Sequence, residues 1–174
     1  LHANVSQISR LSAGNTALLC EWLDRIAGGP LHDSPKGRTP MTVSLPEGLV
    51  DLLRRPSPCF VATLMPDGSP QLTQTWVTTD GEHVVINIVD GMQKAKNIRR
   101  DARVAVNVVD PDNVFRFFAV RGRVVGLTTE GGAASIDEIS QKYLGRPYPN
   151  FTGQAEERLI VTIEADSVTT PARE

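Results

Sequence analysis

Between Gln93 and Arg103 the sequence reads Gln-Lys-Ala-Lys-Asn-Ile-Arg-Arg-Asp-Ala-Arg. Five basic residues (Lys94, Lys96, Arg99, Arg100, Arg103) stand there with one acid, Asp101. The stretch follows an apolar run and Gly91, so it opens a helix directly after a strand. A helix start carries unpaired N–H groups and a partial positive charge, and lysines there add donors for a phosphate. The same residues also read as a solvated basic helix face.

A second polar feature lies in Gln71–Thr78, where Thr73, Gln74, Thr75 and Thr78 flank Trp76. These side chains offer donors and acceptors to a polar ring edge. They also suit a half-exposed strand face, since Thr is a good strand former. Arg116, Arg121 and Arg123 fall on or beside a later strand, with Arg121 and Arg123 on the face of Phe117. Arg121 also reads as the partner of a distant carboxylate. Tyr148 and Phe151 either line a pocket or pin their loop to the core. Gly-x-Gly-x-x-Gly, P-loop and Gly-x-Ser-x-Gly patterns are missing, and no carboxylate pair stands out. Cys59 sits in an apolar run without a nearby His, which does not suit a thiol nucleophile. Three His and two Cys, all far apart, leave little for a zinc site, so no metal is expected.

The elements that must hold these residues are mostly strands. Pro46 to Arg54 reads as a short helix with Leu49, Leu52 and Leu53 on one face. Cys59–Met65 reads as a strand buried on both faces, and Pro66-Asp67-Gly68 as a hairpin turn. Gln71–Thr78 is the second strand, Asp80-Gly81 a turn, and Val84–Val89 the third. A helix from about Met92 to Arg100 precedes a fourth strand, Ala102–Val109. A long fifth strand, Phe115–Leu127, contains Gly122 and Gly126, which mark bends or bulges. Glu130–Leu144 reads as a helix ended by Gly145, and Arg158–Ala165 as the last strand. The expected class is mainly β (α+β): a six-stranded antiparallel barrel with short peripheral helices.

The totals are those of an ordinary globular protein. The 174 residues carry 18 Lys+Arg against 20 Asp+Glu, for a net charge of -2. Near-neutrality argues against a nucleic-acid binder, and no apolar run is long enough to span a membrane. Two cysteines do not make a disulfide framework, so a cytoplasmic protein is expected. Residues 1–40 differ from the rest. They carry one helical pattern, Asn15 to Ala27, and a linker from Pro30 to Pro40. They read as an extension, partly flexible, ahead of a barrel domain at 41–174. The rival reading is a helix packing through Trp22 on the domain or on a partner subunit.

The order of these pieces resembles the pyridoxamine 5′-phosphate oxidase-like split β-barrel, and within it the flavin/deazaflavin oxidoreductases. The resemblance covers about residues 46–168. It is carried by Phe60-Val-Ala-Thr-Leu-Met-Pro-Asp-Gly-Ser-Pro-Gln-Leu72 and Lys94-Ala-Lys-Asn-Ile-Arg-Arg-Asp-Ala-Arg-Val104. Ala119-Val-Arg-Gly-Arg-Val124, Tyr143-Leu-Gly and Arg158-Leu-Ile-Val-Thr-Ile163 add to it.

The resemblance implies the FMN-binding split-barrel fold and a homodimer with two cofactor sites across its interface. It implies a cofactor phosphate on Lys94 and Lys96, with Gln93 and Asn97 nearby. Thr73, Gln74, Thr75 and Trp76, with Asn87 and Ile88, would border the ring system. Arg116 and Phe117 correspond to the pocket edge. The Tyr148–Phe151 loop is expected to close the site of the other subunit. The Lys94/Lys96 text resembles the branch that uses coenzyme F420 for hydride transfer to a conjugated double bond or carbonyl. Arg54, Arg55, Arg99 and Arg100 are candidates for that coenzyme's glutamate tail. FMN is the alternative cofactor, and a non-catalytic protein that stores a cofactor or tetrapyrrole is the third reading. No catalytic residue is assigned. A pyridoxamine phosphate oxidase proper has a C-terminal Trp and Arg signature, which the Ala165–Glu174 text lacks.

Overall fold

The computed structural model describes residues 42–171. The Asn15–Ala27 helix, the linker and the boundary at residue 41 lie outside these residues. Ten elements follow one another: α1 (Glu47–Arg54), β1 (Cys59–Leu64), β2 (Pro70–Thr75), β3 (Val77–Thr79), β4 (Val84–Val89), α2 (Gln93–Arg100), β5 (Arg103–Val109), β6 (Phe117–Thr128), α3 (Gly132–Leu144) and β7 (Arg158–Thr169).

The strands form one antiparallel sheet in the order β2-β1-β5-β6-β7-β4-β3. Its two edge strands, β2 and β3, are joined by Trp76 alone. A single residue spans only about 3.5 Å, so the sheet must curl until its edges adjoin. The result is a split-barrel fold with seven strands, not six. The strand expected over Gln71–Thr78 divides at Trp76: its first half pairs with β1, its second with β4.

Burial follows the pleat. Cys59, Val61 and Thr63 of β1 point inward and are buried, while Phe60, Ala62 and Leu64 are half-buried on the other face. The expectation of burial on both faces is therefore corrected. An antiparallel sheet needs only one face against the core. Leu49, Leu52 and Leu53 of α1 are fully buried with Val77, Ile86, Val108 and Ile163. Their helical spacing turns all three leucines inward. Pro46 stands one residue before the first helical residue, and its carbonyl accepts the Val50 N–H.

The glycines of β6 fall where the pairing with β7 changes register, at Arg121/Gly122 and Val124/Gly126. A Cβ on Gly122 would stand 2.1 Å from the Glu164 carbonyl oxygen, so β6 and β7 meet too closely there for any side chain. β7 runs four residues past the expected Ala165, because Ala119 of the long β6 pairs with Thr169.

Candidate functional site

The cations of the Gln93–Arg103 stretch separate into two groups. Arg99 bonds both carboxylate oxygens of Asp90, one at 2.9 Å. Arg100 donates to the Leu64 carbonyl and to Asn97 Oδ1, and Arg103 grips Asp101. Lys94 and Lys96 have no acceptor among the described residues. Lys94 is half-buried, and burial holds its ammonium below the ordinary lysine value. Both stand in the first turn of α2, whose start has no side-chain cap. An uncapped helix start with two unpaired ammonium groups fits a phosphate.

Asn97 and Gln93 work for the helix instead. Asn97 is 0% exposed. Its Nδ2 donates to Thr63 Oγ1 at 3.0 Å and to Gln71 Oε1 at 3.0 Å, while its Oδ1 accepts from Gln93 Nε2 at 2.8 Å. One side chain thus ties α2 to the β1–β2 hairpin and fixes where the two lysines stand.

A cavity of about 480 Å³ opens beside Trp76, lined by Gln74, Thr75, Trp76, Asn87, Ile136, Tyr148, Phe151 and Arg158. The Trp76 ring stacks on Tyr143, with centroids 5.1 Å apart and planes 10° apart. Tyr143 is held in turn by its hydroxyl, which donates to the Ser57 carbonyl at 2.7 Å. Lys142 donates to the carbonyls of Leu53 and Val77, and burial brings its ammonium down to about 8. The last turn of α3 therefore locks the junction between the sheet edges, and with it Trp76.

Tyr148 and Phe151 meet Trp76 edge-on, at 6.1 and 6.4 Å between centroids. The Tyr148–Phe151 loop therefore packs on Trp76 of the same chain. Arg158 lies over the Tyr148 ring at 4.3 Å and pairs with Glu156. Asn87 Nδ2 donates to the Gly132 carbonyl at 2.8 Å, and Asn87 Oδ1 is buried without a partner. Ile88 cannot present its side chain to this cavity. It is the next residue on the strand, faces the other way, and lies in the core at 4% exposure. Thr73 also faces inward, and its Oγ1 is buried without a partner. Asn87 lines the cavity, so its unpaired Oδ1 is an acceptor suited to a ligand there.

Arg116 and Phe117 do not line the cavity. Arg116 donates to Asp110 at 2.8 Å, and Arg55 reaches the same carboxylate at 3.3 Å and also holds Asp112. Arg55, Arg99 and Arg100 are thereby engaged, and Arg54 is the exposed cation left from the set considered for an anionic tail. Arg123 pairs with Glu164 at 2.6 Å and with Asp166, whereas Arg121 donates to the Ser167 hydroxyl at 3.0 Å.

The backbone N–H of Asp112, then the Arg116 guanidinium, hold the Asp110 carboxyl below the usual carboxylate range. A depressed folded-state value stabilises above the unfolded pKa of about 4 and is lost as pH falls through the folded value. Asp110→Asn should therefore lower the urea midpoint by a constant amount above about pH 5. That gap should close toward about pH 3. A gap independent of pH would exclude this role.

Cys59 is 0% exposed, and burial pushes its thiol up to about 12. Native protein at pH 8 should leave Cys59 unmodified by a thiol-specific reagent until it is unfolded. Rapid labelling mapped to Cys59 by mass spectrometry would contradict this.

Four contributors were not among the sequence candidates: Ile136, Lys142, Tyr143 and Arg158. They come from elements far along the chain, and only the curl of the sheet brings them to Trp76. Among the described residues no group of three His, Cys, Asp or Glu is placed to hold a metal ion. No described helix is long and apolar enough to cross a membrane.

The family model for pyridoxamine 5′-phosphate oxidase matches residues 45–170. A solved structure named F420 reductase is 31% identical, with a TM-score of 0.61, covering 72% of this chain and 98% of that one. A conserved hypothetical protein from Mycobacterium tuberculosis is 25% identical, with a TM-score of 0.57, covering 76% of this chain and 87% of its own. General stress protein 26 from Bacillus anthracis shares the fold at 12% identity, with a TM-score of 0.52, covering 70% and 89% of the two chains. No curated protein matches the sequence.

Proposed function

The chain belongs to the pyridoxamine 5′-phosphate oxidase family, and from that premise we propose that it is an oxidoreductase using the deazaflavin coenzyme F420. The observation that carries this reading is the pair of unpartnered lysines, Lys94 and Lys96, at the uncapped start of α2. The 31% identity to a protein named F420 reductase supports the choice of coenzyme. When bound, the reduced coenzyme supplies a hydride to a conjugated double bond or a carbonyl.

The chain's own residues bind and orient. Lys94 and Lys96 hold the phosphate, with Asn97 and Gln93 fixing the helix that presents them. Trp76, backed by Tyr143, offers a rigid aromatic wall to the ring. Tyr148 and Phe151 flank the cavity at its open side. No side chain is assigned as proton donor, and water fills that role.

The protein acts as a cytoplasmic homodimer in this reading. The outward face of β2-β1-β5-β6 supports a second copy as the partner. It presents Leu72 at 66% exposure beside half-buried Ala62 and Leu64, with a groove of about 460 Å³ along it. FMN in the same cradle is the second reading, favoured by the family to which the chain belongs.

The reading is tested by following oxidation of the reduced coenzyme by a panel of quinones, enones and aldehydes. The wild type should accelerate at least one of these reactions, and Lys94→Ala/Lys96→Ala should not. Binding without acceleration of any acceptor would instead favour a storage role. A yellow preparation that retains FMN would favour the second reading.

A further inference from the structure

Asn87 and Arg158 share one face of the β4–β7 ladder. Val89 stands opposite Arg158, and Asn87 opposite Ile160, so the two are diagonal neighbours. Cβ atoms in that relation lie roughly 7 Å apart. Both residues line the 480 Å³ cavity. Asn87 is buried at 5% exposure, and Arg158 is half-buried with its side chain at 9%.

Each brings one unpartnered polar function. The Gly132 carbonyl can only accept, so the Asn87 amide must turn its nitrogen toward it, at 2.8 Å. Its Oδ1 is then left as an acceptor without a partner. Arg158 gives one nitrogen to Glu156 and its flat face to Tyr148. Its Nε and other terminal nitrogen have no acceptor among the described residues. An acceptor and a donor thus stand on one face of the ladder, in a cavity that Trp76 and Tyr148 also line.

We propose that this cavity recognises the lactam or imide edge of a planar ring. The ring N–H donates to Asn87 Oδ1, the adjacent carbonyl accepts from Arg158, and the ring plane lies against the aromatic wall. Glu156 neutralises Arg158, so the edge recognised is uncharged, unlike the phosphate at Lys94 and Lys96. The inference rests on the proposed function and extends it from the phosphate to the ring. The pyrimidinedione edge of a flavin or deazaflavin carries this N–H and C=O pair, and so does a planar lactam substrate. Asn87 is the specificity-determining residue in either case, and Arg158 supplies the carbonyl contact.

The test uses two phosphate-free rings, riboflavin and 8-hydroxy-5-deazariboflavin, each as the parent and as its N3-methyl derivative. Each is titrated into the purified full chain and followed by chromophore fluorescence. N3-methylation should weaken binding to wild type about tenfold or more, since it leaves Asn87 Oδ1 unpaired. Asn87→Ala should bind parent and derivative alike. Arg158→Lys should weaken both by a common factor, because the carbonyl contact does not involve N3. Equal affinities on wild type would overturn the proposal. So would a methyl penalty that persists in Asn87→Ala, or a failure of both parent rings to bind saturably.

Two further outcomes distinguish the sources. A parent ring displaced by saturating coenzyme assigns the edge to the cofactor, and one that binds alongside the coenzyme assigns it to a substrate. Both support the proposal. Because these rings lack phosphate, their N3 discrimination is independent of Lys94 and Lys96. Failure of coenzyme binding with N3 discrimination intact therefore removes only the proposed function, and the reverse result removes only this inference.

Discussion

Asn97→Ala should destabilise the protein by about 3 kcal/mol and weaken any phosphate-bearing ligand at the same time. Asn97 is fully buried, and three of its partners are side chains, Thr63 buried and Gln71 and Gln93 half-buried. Removing it takes a donor from the Thr63 hydroxyl and the Gln71 carbonyl, which keep only their mutual 3.3 Å bond, and the acceptor from the Gln93 amide. Each stranded buried group costs about 1–3 kcal/mol, reduced where water enters. The amide is also the tie between α2 and the β1–β2 hairpin, so the first turn of α2 loses its fixed position. Urea unfolding gives the stability change, and ligand titration under folding conditions gives the second effect. A stability loss below about 1 kcal/mol would show that the network is slack.

Gly132→Ala should cost about as much, for a steric reason. A Cβ there would lie 2.2 Å from the Arg158 carbonyl oxygen and 2.8 Å from its carbonyl carbon. Both contacts are to backbone, so no side chain can swing aside, and α3 must lift from β7. Overpacking of this kind costs about 1–3 kcal/mol and occasionally more. The shift also disturbs the Asn87–Gly132 bond and Arg158, which together build one wall of the cavity. Ring binding should fall while a phosphate at Lys94 and Lys96 is little affected. Gly145→Ala is the contrasting variant. Its Cβ meets nothing within 4 Å, so only the left-handed φ of 67° opposes it. That strain costs about 1 kcal/mol. Equal effects of the two variants on urea midpoints would exclude the close-packing explanation.

Much of the scaffold is legible in the residues themselves. The leucines of α1 recur at helical spacing, and Gly122 and Gly126 sit where β6 changes register. Gly68 and Gly81 take positive φ in the two expected turns. The break at Trp76 was not legible, because Gln71–Thr78 contains neither Gly nor Pro. What divides it is the demand of two different neighbours, β1 and β4, which only the curled sheet supplies.

The site divides in the same way. The excess of cations at Gln93–Arg103 was visible, but not which of them remain available. Asp90 and the Leu64 carbonyl reach Arg99 and Arg100 only after folding. The opposite facing of Asn87 and Ile88 follows from strand alternation alone, and that period puts Ile88 in the core. The Tyr148–Phe151 loop carries no local signal of which chain it covers. Its place on Trp76 is decided by aromatic contacts across more than seventy residues of sequence.

The most direct measurement is a titration of coenzyme F420 into the purified chain and into Lys94→Ala/Lys96→Ala. The wild type should bind saturably in the micromolar range. Loss of two charge-assisted contacts to a phosphate should weaken the double variant about a hundredfold. Wild-type protein without saturable binding in that range, or a double variant that binds as tightly, would contradict the assignment of the phosphate to these two lysines.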